Sequence, residues 1–157
     1  MKKFYSLIAV SGLLLSACAS NEKPANDKNV VKSAVSAIDE FNEFSSENAI
    51  YFGFDSSKVD KRYNNVVKEY VSKINKLDKG VTIVTNGYCD NRGNDAYNNA
   101  LGMRRAVAVK ALLDKNGVNK KVKIDTVSYG KSKFKNYVDN EEENYKMNRK
   151  VEVVASK

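Results

Sequence analysis

One arginine and one asparagine lie on the apolar face of a predicted helix, where they could bind a charged ligand. At about 100° per residue, Arg105 falls within an apolar arc and Asn98 lies about 20° from it. A guanidinium group stays protonated in proteins and is costly to bury without a partner. We therefore expect a carboxylate opposite Arg105, supplied either by this chain or by a ligand. The arc consists of Leu101, Ala108, Val109, Leu112 and Leu113.

An aspartate placed just before this helix could supply the opposite charge. Residues 86–93 have the pattern of a β-strand end followed by a glycine-containing turn, and Asp90 lies where the strand ends. A carboxylate at a strand end and a guanidinium on the next helix complement a ligand that carries both an ammonium and a carboxylate group. A helix beginning at Asn94 would add backbone N–H groups that favour an anion. Alternatively, Asp90 and Arg105 form an internal ion pair that joins the turn to the helix.

The composition excludes several kinds of chemistry. The sequence has no histidine, so it lacks the commonest general base, Cys/His zinc sites are impossible, and Ser56 and Ser128 cannot be activated in the usual way. The acidic run 141–143 is interpreted as solvated surface. The formal net charge of +8 suits acidic lipid headgroups, anionic wall polymers or nucleic acid. Nucleic acid is the weakest of these partners, because the lysines are scattered and no RNA-binding or zinc-finger signature occurs.

Residues 1–17 have the features of a secretory signal peptide. Two lysines precede an apolar run over residues 4–15, which is shorter than the ~20 residues of a membrane span. Small residues come directly before Cys18, as in the bacterial lipobox, where the cysteine after the cleavage site is lipid-modified. We expect Cys18 to begin the mature protein and to carry the lipid. The alternative is an ordinary secretory signal with an incidental cysteine.

The second cysteine, Cys89, has no partner if Cys18 carries lipid. An exported chain meets an oxidising compartment, so we expect Cys89 to lie where oxidants cannot reach it or to be tolerated as a small residue. A disulfide between the two cysteines is the alternative, and it would require an unlipidated chain.

The remaining sequence predicts a tether followed by one domain. Residues 18–45 are interpreted as a lipid-anchored tether whose apolar spacing is compatible with a short helix, and residues 46–157 as the domain. The order βαβαβ followed by a final strand favours an α+β fold, a two-layer sandwich with a mixed sheet and both helices on one face. Residues 130–146 are predicted to be a long charged loop. The predicted strands are 49–54, 81–88, 122–129 and 149–155, and the predicted helices are 59–77 and 94–116.

Five segments of the domain resemble the successive motifs of the outer-membrane protein A-like (OmpA-like) family of peptidoglycan-binding domains. The resemblance covers about residues 48–155, and its most specific part is the block from Gly87 to Ala106, with its internal spacing. The segments are Tyr51–Asp55, Gly87–Gly93, Tyr97–Ala106, Val127–Gly130 and Asn148–Lys150.

The resemblance implies a binding function at the diaminopimelate residue of the wall's stem peptide, with no catalysis, cofactor or metal. Carried over by position, Asp90 would bind the ammonium group of the ligand and Arg105 its carboxylate. Asn98 would orient the ligand and Leu101 would contact the stem. Asp55 would lie at the same rim.

The resemblance and the lipobox together imply a place in the cell and a set of partners. The lipid would lie in the outer membrane and the domain would face the periplasm, bound to peptidoglycan. Lipoprotein relatives bind the periplasmic propeller protein TolB at a surface that overlaps the wall site, and they are linked to TolA. Two other hypotheses remain open: a wall-binding lipoprotein outside the Tol system, and an enzyme acting on peptidoglycan, for which the chain lacks a metal set or an activated nucleophile.

Three positions depart from the family pattern. Cys89 replaces the usual threonine and is a weaker hydrogen-bonding group. Phe134 occupies a position where proline is common, so the path of the loop after Gly130 is open. Lys150 replaces an arginine, and because a lysine cannot act as a bidentate guanidinium, we leave Lys150 out of the predicted site.

Overall fold

The structure, a computed structural model, describes residues 27–157, and their side chains from residue 37 onward. The predicted signal peptide 1–17, the lipidation site Cys18 and the first part of the tether lie outside the described residues. Among the helices that are described, none combines the length and the apolar character needed to cross a membrane.

The fold is the predicted α+β sandwich, in which helices cover one face of a mixed four-stranded sheet. The strand order is β1-β4-β2-β3; β2 and β3 are parallel, and β4 is antiparallel to both β1 and β2. A 3-10 turn at Lys61–Tyr63 leads into α2. The elements are α1 (Asp27–Glu47), β1 (Ile50–Tyr51), α2 (Asn64–Ile74), β2 (Thr82–Tyr88), α3 (Asp95–Lys115), β3 (Lys123–Gly130), α4 (Glu141–Asn148) and β4 (Lys150–Ser156).

The core lies between the helices and one face of the sheet. Alternate residues of β4, beginning with Val151, are buried, while those between them are half-buried, as expected when one face of a strand packs and the other meets solvent. Tyr70 of α2 is fully buried, and burial raises its pKa to about 12. Its hydroxyl donates a hydrogen bond to the Asn48 carbonyl at 3.1 Å, and its oxygen lies 3.2 Å from Ser45 Oγ.

The C-terminal half of α1 belongs to the packed unit. Phe41 is only 2% exposed and contacts the Tyr70 ring. Because β1 is only two residues long, it leaves most of the outer edge of β4 unpaired. Asn42 bonds to both the N–H and the carbonyl of Ala155, and Ser45 Oγ accepts the Val153 N–H. The helix therefore satisfies an edge that would otherwise be open to pairing, and the packed unit extends N-terminal to the boundary predicted at residue 46.

The predicted long loop at 130–146 is wrong in its C-terminal part, which forms α4. Asn140 caps this helix by accepting the N–H of Glu143, and the acidic run 141–143 occupies its first turn, where the helix dipole favours negative charge. The acidic side chains are exposed, as interpreted from the sequence. Two buried asparagines, Asn144 and Asn148, bond to the backbone of the preceding segment and hold the helix in place.

The first predicted strand and helix are both too long. The strand predicted at 49–54 ends at Tyr51, although the Phe52 N–H still donates to the Arg149 carbonyl at 2.8 Å. The helix predicted from residue 59 begins only after the 3-10 turn, which Asp60 caps, and it ends at Ile74, well before Gly80. The apolar spacing there marks packing positions correctly, but the backbone between residues 52 and 60 follows a loop.

Two glycines set the distance between α3 and the sheet. A Cβ at Gly87 in β2 would collide with the carbonyl oxygen of Gly102 in α3, and a Cβ at Gly102 would collide with Ser128 Oγ in β3. The helix backbone therefore lies directly against the strands. This close approach places the side chains of the first half of α3 at the carboxyl end of β2.

Candidate ligand-binding site

The five predicted site residues come together around one cavity of about 160 Å³. The carboxyl ends of β1 and β2 and the start of the antiparallel β4 meet at the same edge of the sheet, so residues that follow or precede these strands converge there. The N-terminal half of α3 completes the wall. The lining residues are Phe54, Asp55, Cys89, Asp90, Arg92, Gly93, Tyr97, Asn98, Leu101, Arg105 and Arg149.

Arg105 is fully buried and is held by backbone carbonyls. Its Nε donates to the Ser56 carbonyl at 2.8 Å, its Nη1 to the Tyr88 carbonyl at 2.8 Å, and its Nη2 to the Gly53 carbonyl at 3.0 Å. Nη1 also contacts Cys89 Sγ at 3.4 Å, so four of its five N–H groups have an acceptor. Burial lowers the pKa of Arg105, but a guanidinium remains charged at any physiological pH.

The alternative of an internal ion pair between Asp90 and Arg105 is not realised. Among the described residues, no carboxylate lies within ion-pair distance of Arg105. Neutral carbonyls satisfy its hydrogen bonds because the loop after β1 and the end of β2 both direct carbonyl groups toward it. Its positive charge therefore forms no ion pair within the described residues, and Asp90 and Asp55 act on it only through longer-range attraction.

Asp90 instead pairs with two other arginines. Its Oδ2 lies 2.6 Å from Arg92 Nη2 and 3.3 Å from Arg149 Nη1, and its Oδ1 accepts the Arg92 Nε at 3.3 Å. Burial alone would raise the pKa of Asp90. The hydrogen bonds and charge of Arg92, together with the hydrogen bond from Arg149, outweigh burial and lower its pKa below the ordinary value.

Arg92 lies between two aromatic rings at the mouth of the cavity. Its guanidinium carbon is 4.2 Å from the centroid of the Phe54 ring and 4.2 Å from that of the Tyr145 ring. About a third of its side chain remains exposed, whereas the Asp90 and Arg149 side chains are nearly buried. Arg92 is thus the accessible member of the cluster and covers the Asp90 carboxylate from the solvent side.

The remaining predicted residues shape the cavity. Asn98 is buried, and its Nδ2 donates to the Arg92 carbonyl at 2.7 Å, which ties the turn to α3. Leu101 supplies a buried apolar surface. Asp55 is exposed at the rim, accepts the Tyr97 hydroxyl and has a φ of 50°. Such left-handed backbone in a residue other than glycine costs free energy and often marks a functional site.

Cys89 is buried behind the site, as expected for a thiol protected from oxidants. It is 2% exposed, and its Sγ lies 3.3 Å from the Asn98 carbonyl. Burial raises the pKa of the thiol, so it remains protonated and can donate to that carbonyl. The thiol is free in the described structure, and its location explains how a cysteine is tolerated beside Arg105.

Sequence reasoning missed four lining residues, namely Phe54, Arg92, Tyr97 and Arg149. Arg149 is the most important, because its Nε donates to the Phe52 carbonyl at 3.1 Å while its Nη1 reaches Asp90. The sequence signal was an arginine at the first residue of the last predicted strand, 149–155. Lys150, which was left out, indeed lies outside the cavity lining and pairs with Glu152 at 2.6 Å.

The cavity therefore combines three guanidinium groups with two carboxylates. One carboxylate, Asp90, is engaged by Arg92 and Arg149, and the other, Asp55, accepts a tyrosine hydroxyl. Arg105 keeps a buried positive charge and one unused N–H group. Such a site can take a ligand with an anionic group near Arg105 and a cationic group near the aspartates.

Comparison with known proteins places this geometry in a family. The sequence model of the OmpA family matches residues 51–148. This range includes all five predicted site residues and ends one residue before Arg149. A peptidoglycan-associated lipoprotein of Pasteurella multocida is 33% identical over 141 residues, covering 85% of this chain and 86% of its own length.

Two solved structures share the fold. The peptidoglycan-associated lipoprotein from Burkholderia pseudomallei superposes with a TM-score of 0.62 at 30% identity, covering 69% of this chain and 89% of its own. The C-terminal domain of Helicobacter pylori MotB has a TM-score of 0.62 at 25% identity, covering 69% and 84%. Sequence and structure agree: this chain belongs to the OmpA family.

Proposed function

We propose that this protein binds peptidoglycan non-covalently by holding the free amino-acid end of a diaminopimelate residue in the cavity. The observation that carries the proposal is the buried charge of Arg105, which has no carboxylate partner in the described chain and lies beside the cluster around Asp90. A ligand carboxylate would supply the counter-ion that the fold omits. The names of the relatives, which are peptidoglycan-associated lipoproteins, support the same reading.

Each predicted residue has a role in this proposal. Arg105 donates its remaining N–H group to the ligand carboxylate, and Asp90 accepts the ligand ammonium group. Asn98 orients the ligand by fixing the turn, Leu101 contacts the hydrocarbon part, and Asp55 lies at the rim beside the entering ammonium group. These few charge-assisted bonds would give an affinity of roughly millimolar to micromolar.

Ligand binding requires a rearrangement at the mouth of the cavity. In the described structure, Arg92 occupies the accessible side of the Asp90 carboxylate. We infer that the ligand ammonium group replaces Arg92 there, while the buried Arg149 stays bonded to Asp90. Arg92 is the more exposed of the two arginines that hold Asp90, so releasing it costs less than releasing the buried Arg149, although it gives up its contacts with the Phe54 and Tyr145 rings.

The proposed role is a physical link and involves no catalysis. Lipid on Cys18 would hold the chain in the outer membrane, and the domain would face the periplasm and bind the wall. Many anchored copies facing one polymer would raise the effective strength of a weak individual contact. TolB would compete with the wall for this protein at an overlapping surface, and TolA would be a further partner. If one molecule of this protein binds TolB and an isolated sacculus at the same time, the two binding surfaces do not overlap.

Ligand discrimination tests the proposed function. Full-length protein should co-sediment with diaminopimelate-containing sacculi, and free meso-diaminopimelate should release it. Cadaverine should release much less at the same concentration, because it keeps the two amines and the carbon chain of diaminopimelate but lacks the carboxylate that Arg105 would bind. Equal release by both compounds, or by neither, would contradict the proposed site.

A matched pair of variants provides the control. Asp90→Asn should weaken sedimentation with sacculi, whereas Asp114→Asn, which removes the same charge from an exposed position near the end of α3, should not. Circular dichroism should confirm that both variants are folded at the temperature of the assay. Binding by Asp90→Asn equal to that of Asp114→Asn would move the ammonium site elsewhere.

A further inference from the structure

A second concave surface, which we call the basic groove, adjoins the cavity. It has a volume of about 770 Å³ and lies between the loop that follows β1 and the end of α4. Arg149 lines both the groove and the cavity, so the two adjoin at that side chain. The loop 53–56 separates them elsewhere, and its Gly53 and Ser56 carbonyls bond to Arg105 on the cavity side.

The rim of the basic groove carries cations without counter-ions. Within the residues that the structure describes, neither Lys58 nor Lys61 forms an ion pair, and both are exposed. Arg62 stacks on the Tyr63 ring at 4.9 Å. On the opposite rim, Lys146 is already paired with Glu143 at 2.7 Å.

The floor of the basic groove is largely apolar. Tyr51, Phe52, Val59 and Met147 line it beneath the charged rim. Its one acidic rim residue, Asp60, is engaged in capping the N–H of Arg62. An apolar floor below unpaired cations is complementary to an elongated ligand that has methylene segments and free carboxylates.

We propose that the basic groove binds the part of the stem peptide next to diaminopimelate, with a free carboxylate of that part facing Lys58 and Lys61. This inference rests on the proposed function, because it needs the amino-acid end of diaminopimelate to lie in the cavity. The other end of diaminopimelate is amide-linked and must leave the cavity. The residue attached there is a γ-linked glutamate whose α-carboxylate is free, and the groove is the adjoining concave surface that offers cations to it.

Adjacency and charge favour this occupant over an acidic protein segment or an anionic membrane surface. A membrane would contact a convex or flat basic face, whereas these cations border a concave groove that adjoins the cavity at Arg149. A protein segment would gain nothing from the neighbouring cavity. A stem peptide held in the cavity by its diaminopimelate end carries its free glutamyl carboxylate to an adjoining surface, where Lys58 and Lys61 have no ion-pair partner among the described residues.

The test compares two peptides that differ by one functional group. Calorimetry with the purified full chain would use L-alanyl-γ-D-glutamyl-meso-diaminopimelate and the same peptide with the glutamyl α-carboxylate converted to an amide. Exposed ion pairs contribute modestly, so we expect the acid to bind about 3- to 10-fold more tightly than the amide. The Lys58→Gln/Lys61→Gln variant should bind both peptides equally, with the affinity that the wild type has for the amide.

The matched control removes the same charge at the other end of the molecule. Lys120→Gln/Lys121→Gln, at exposed positions after α3, should retain the preference for the acid. Equal binding of acid and amide by the wild type, or a preference that survives in Lys58→Gln/Lys61→Gln, would overturn the inference. Free meso-diaminopimelate separates a failure of the proposed function from a failure of the groove proposal. If the wild type does not bind it, the proposed function is wrong. If the wild type binds it but shows no preference for the acid peptide, only the groove proposal is wrong.

Discussion

Arg105 and Arg149 both border the candidate site and both are buried, but their charges are balanced differently. Arg149 bonds to the Asp90 carboxylate and to the Phe52 carbonyl, so its charge and its geometry are satisfied within the chain. Arg105 bonds to three carbonyls and a thiol, and no carboxylate of the described residues pairs with it. Arg105 thus makes more hydrogen bonds than Arg149, but only Arg149 has a carboxylate among its hydrogen-bond acceptors.

In the proposed function, the difference separates Arg149, which has a structural role, from Arg105, which would bind the ligand. Neutral carbonyls fix the orientation of the Arg105 guanidinium at the expense of leaving its charge uncompensated. A buried ion without a counter-ion is destabilising, and a ligand anion would relieve that cost. Arg149 positions Asp90 through its hydrogen bond. Arg105 is the group whose buried charge would gain a counter-ion if an anionic ligand group filled the cavity.

Removing the Arg105 guanidinium should have the largest effect of the three changes predicted below. Arg105→Met should lower the free energy of unfolding by about 3–5 kcal/mol, because three buried carbonyls would lose their donor at about 1–3 kcal/mol each and the apolar side chain offsets part of that loss. Urea unfolding would measure it. The neighbouring exposed Arg104→Met should change stability by about 0.5 kcal/mol or less. A loss no larger for Arg105→Met than for Arg104→Met would show that the carbonyl contacts contribute little.

The second prediction concerns the distance between α3 and the sheet, which allows Arg105 to reach its carbonyls. Gly87→Ala should cost about 3 kcal/mol, the upper end for overpacking, because the new Cβ meets backbone that cannot move aside easily. Gly53→Ala is the control, since its Cβ would lie an ordinary 3.7 Å from the nearest atom, Ser56 Cβ. Thermal unfolding of the two variants would measure the difference. Equal stability would mean that α3 shifts on the sheet without penalty.

The third prediction concerns the contribution of Asp90 to stability and its dependence on pH. Asp90→Asn leaves the buried Arg149 without its main carboxylate and should cost about 1–3 kcal/mol at neutral pH. The folded-state pKa of Asp90 is lowered, so its contribution to stability is present above the ordinary pKa of about 3.9 and is lost as the pH falls through the folded-state value. The stability difference from the wild type should therefore shrink in acid. A constant difference from pH 7 to strongly acidic pH would contradict the pairing.

The fold was predictable where local signals agreed with packing. Asn94 as the cap of α3 and the ends of β2 and β4 follow closely from apolar spacing and turn residues. The short helix at residues 141–148 was not predictable by periodicity, because it has few apolar residues and is held by two buried asparagines that bond to a neighbouring segment. Tertiary hydrogen bonds, which no local pattern reveals, stabilise it.

The site was predictable in its members but not in its pairing. Helical spacing placed Arg105 and Asn98 on the buried face, and both line the cavity with Asp90. Which charges would meet depended on Arg149, which lies 59 positions from Asp90 in the chain and reaches it only because β4 runs antiparallel beside β2.

Residue spacing was enough to predict a buried guanidinium near a strand-end aspartate, because side-chain direction on a helix follows from spacing alone. Long-range packing fixed the partners of these groups: backbone carbonyls hold Arg105, and Arg149 bonds to Asp90. Those partners come from segments far apart in the chain, and their distances are set by the sheet order and by the glycine contact between β2 and α3.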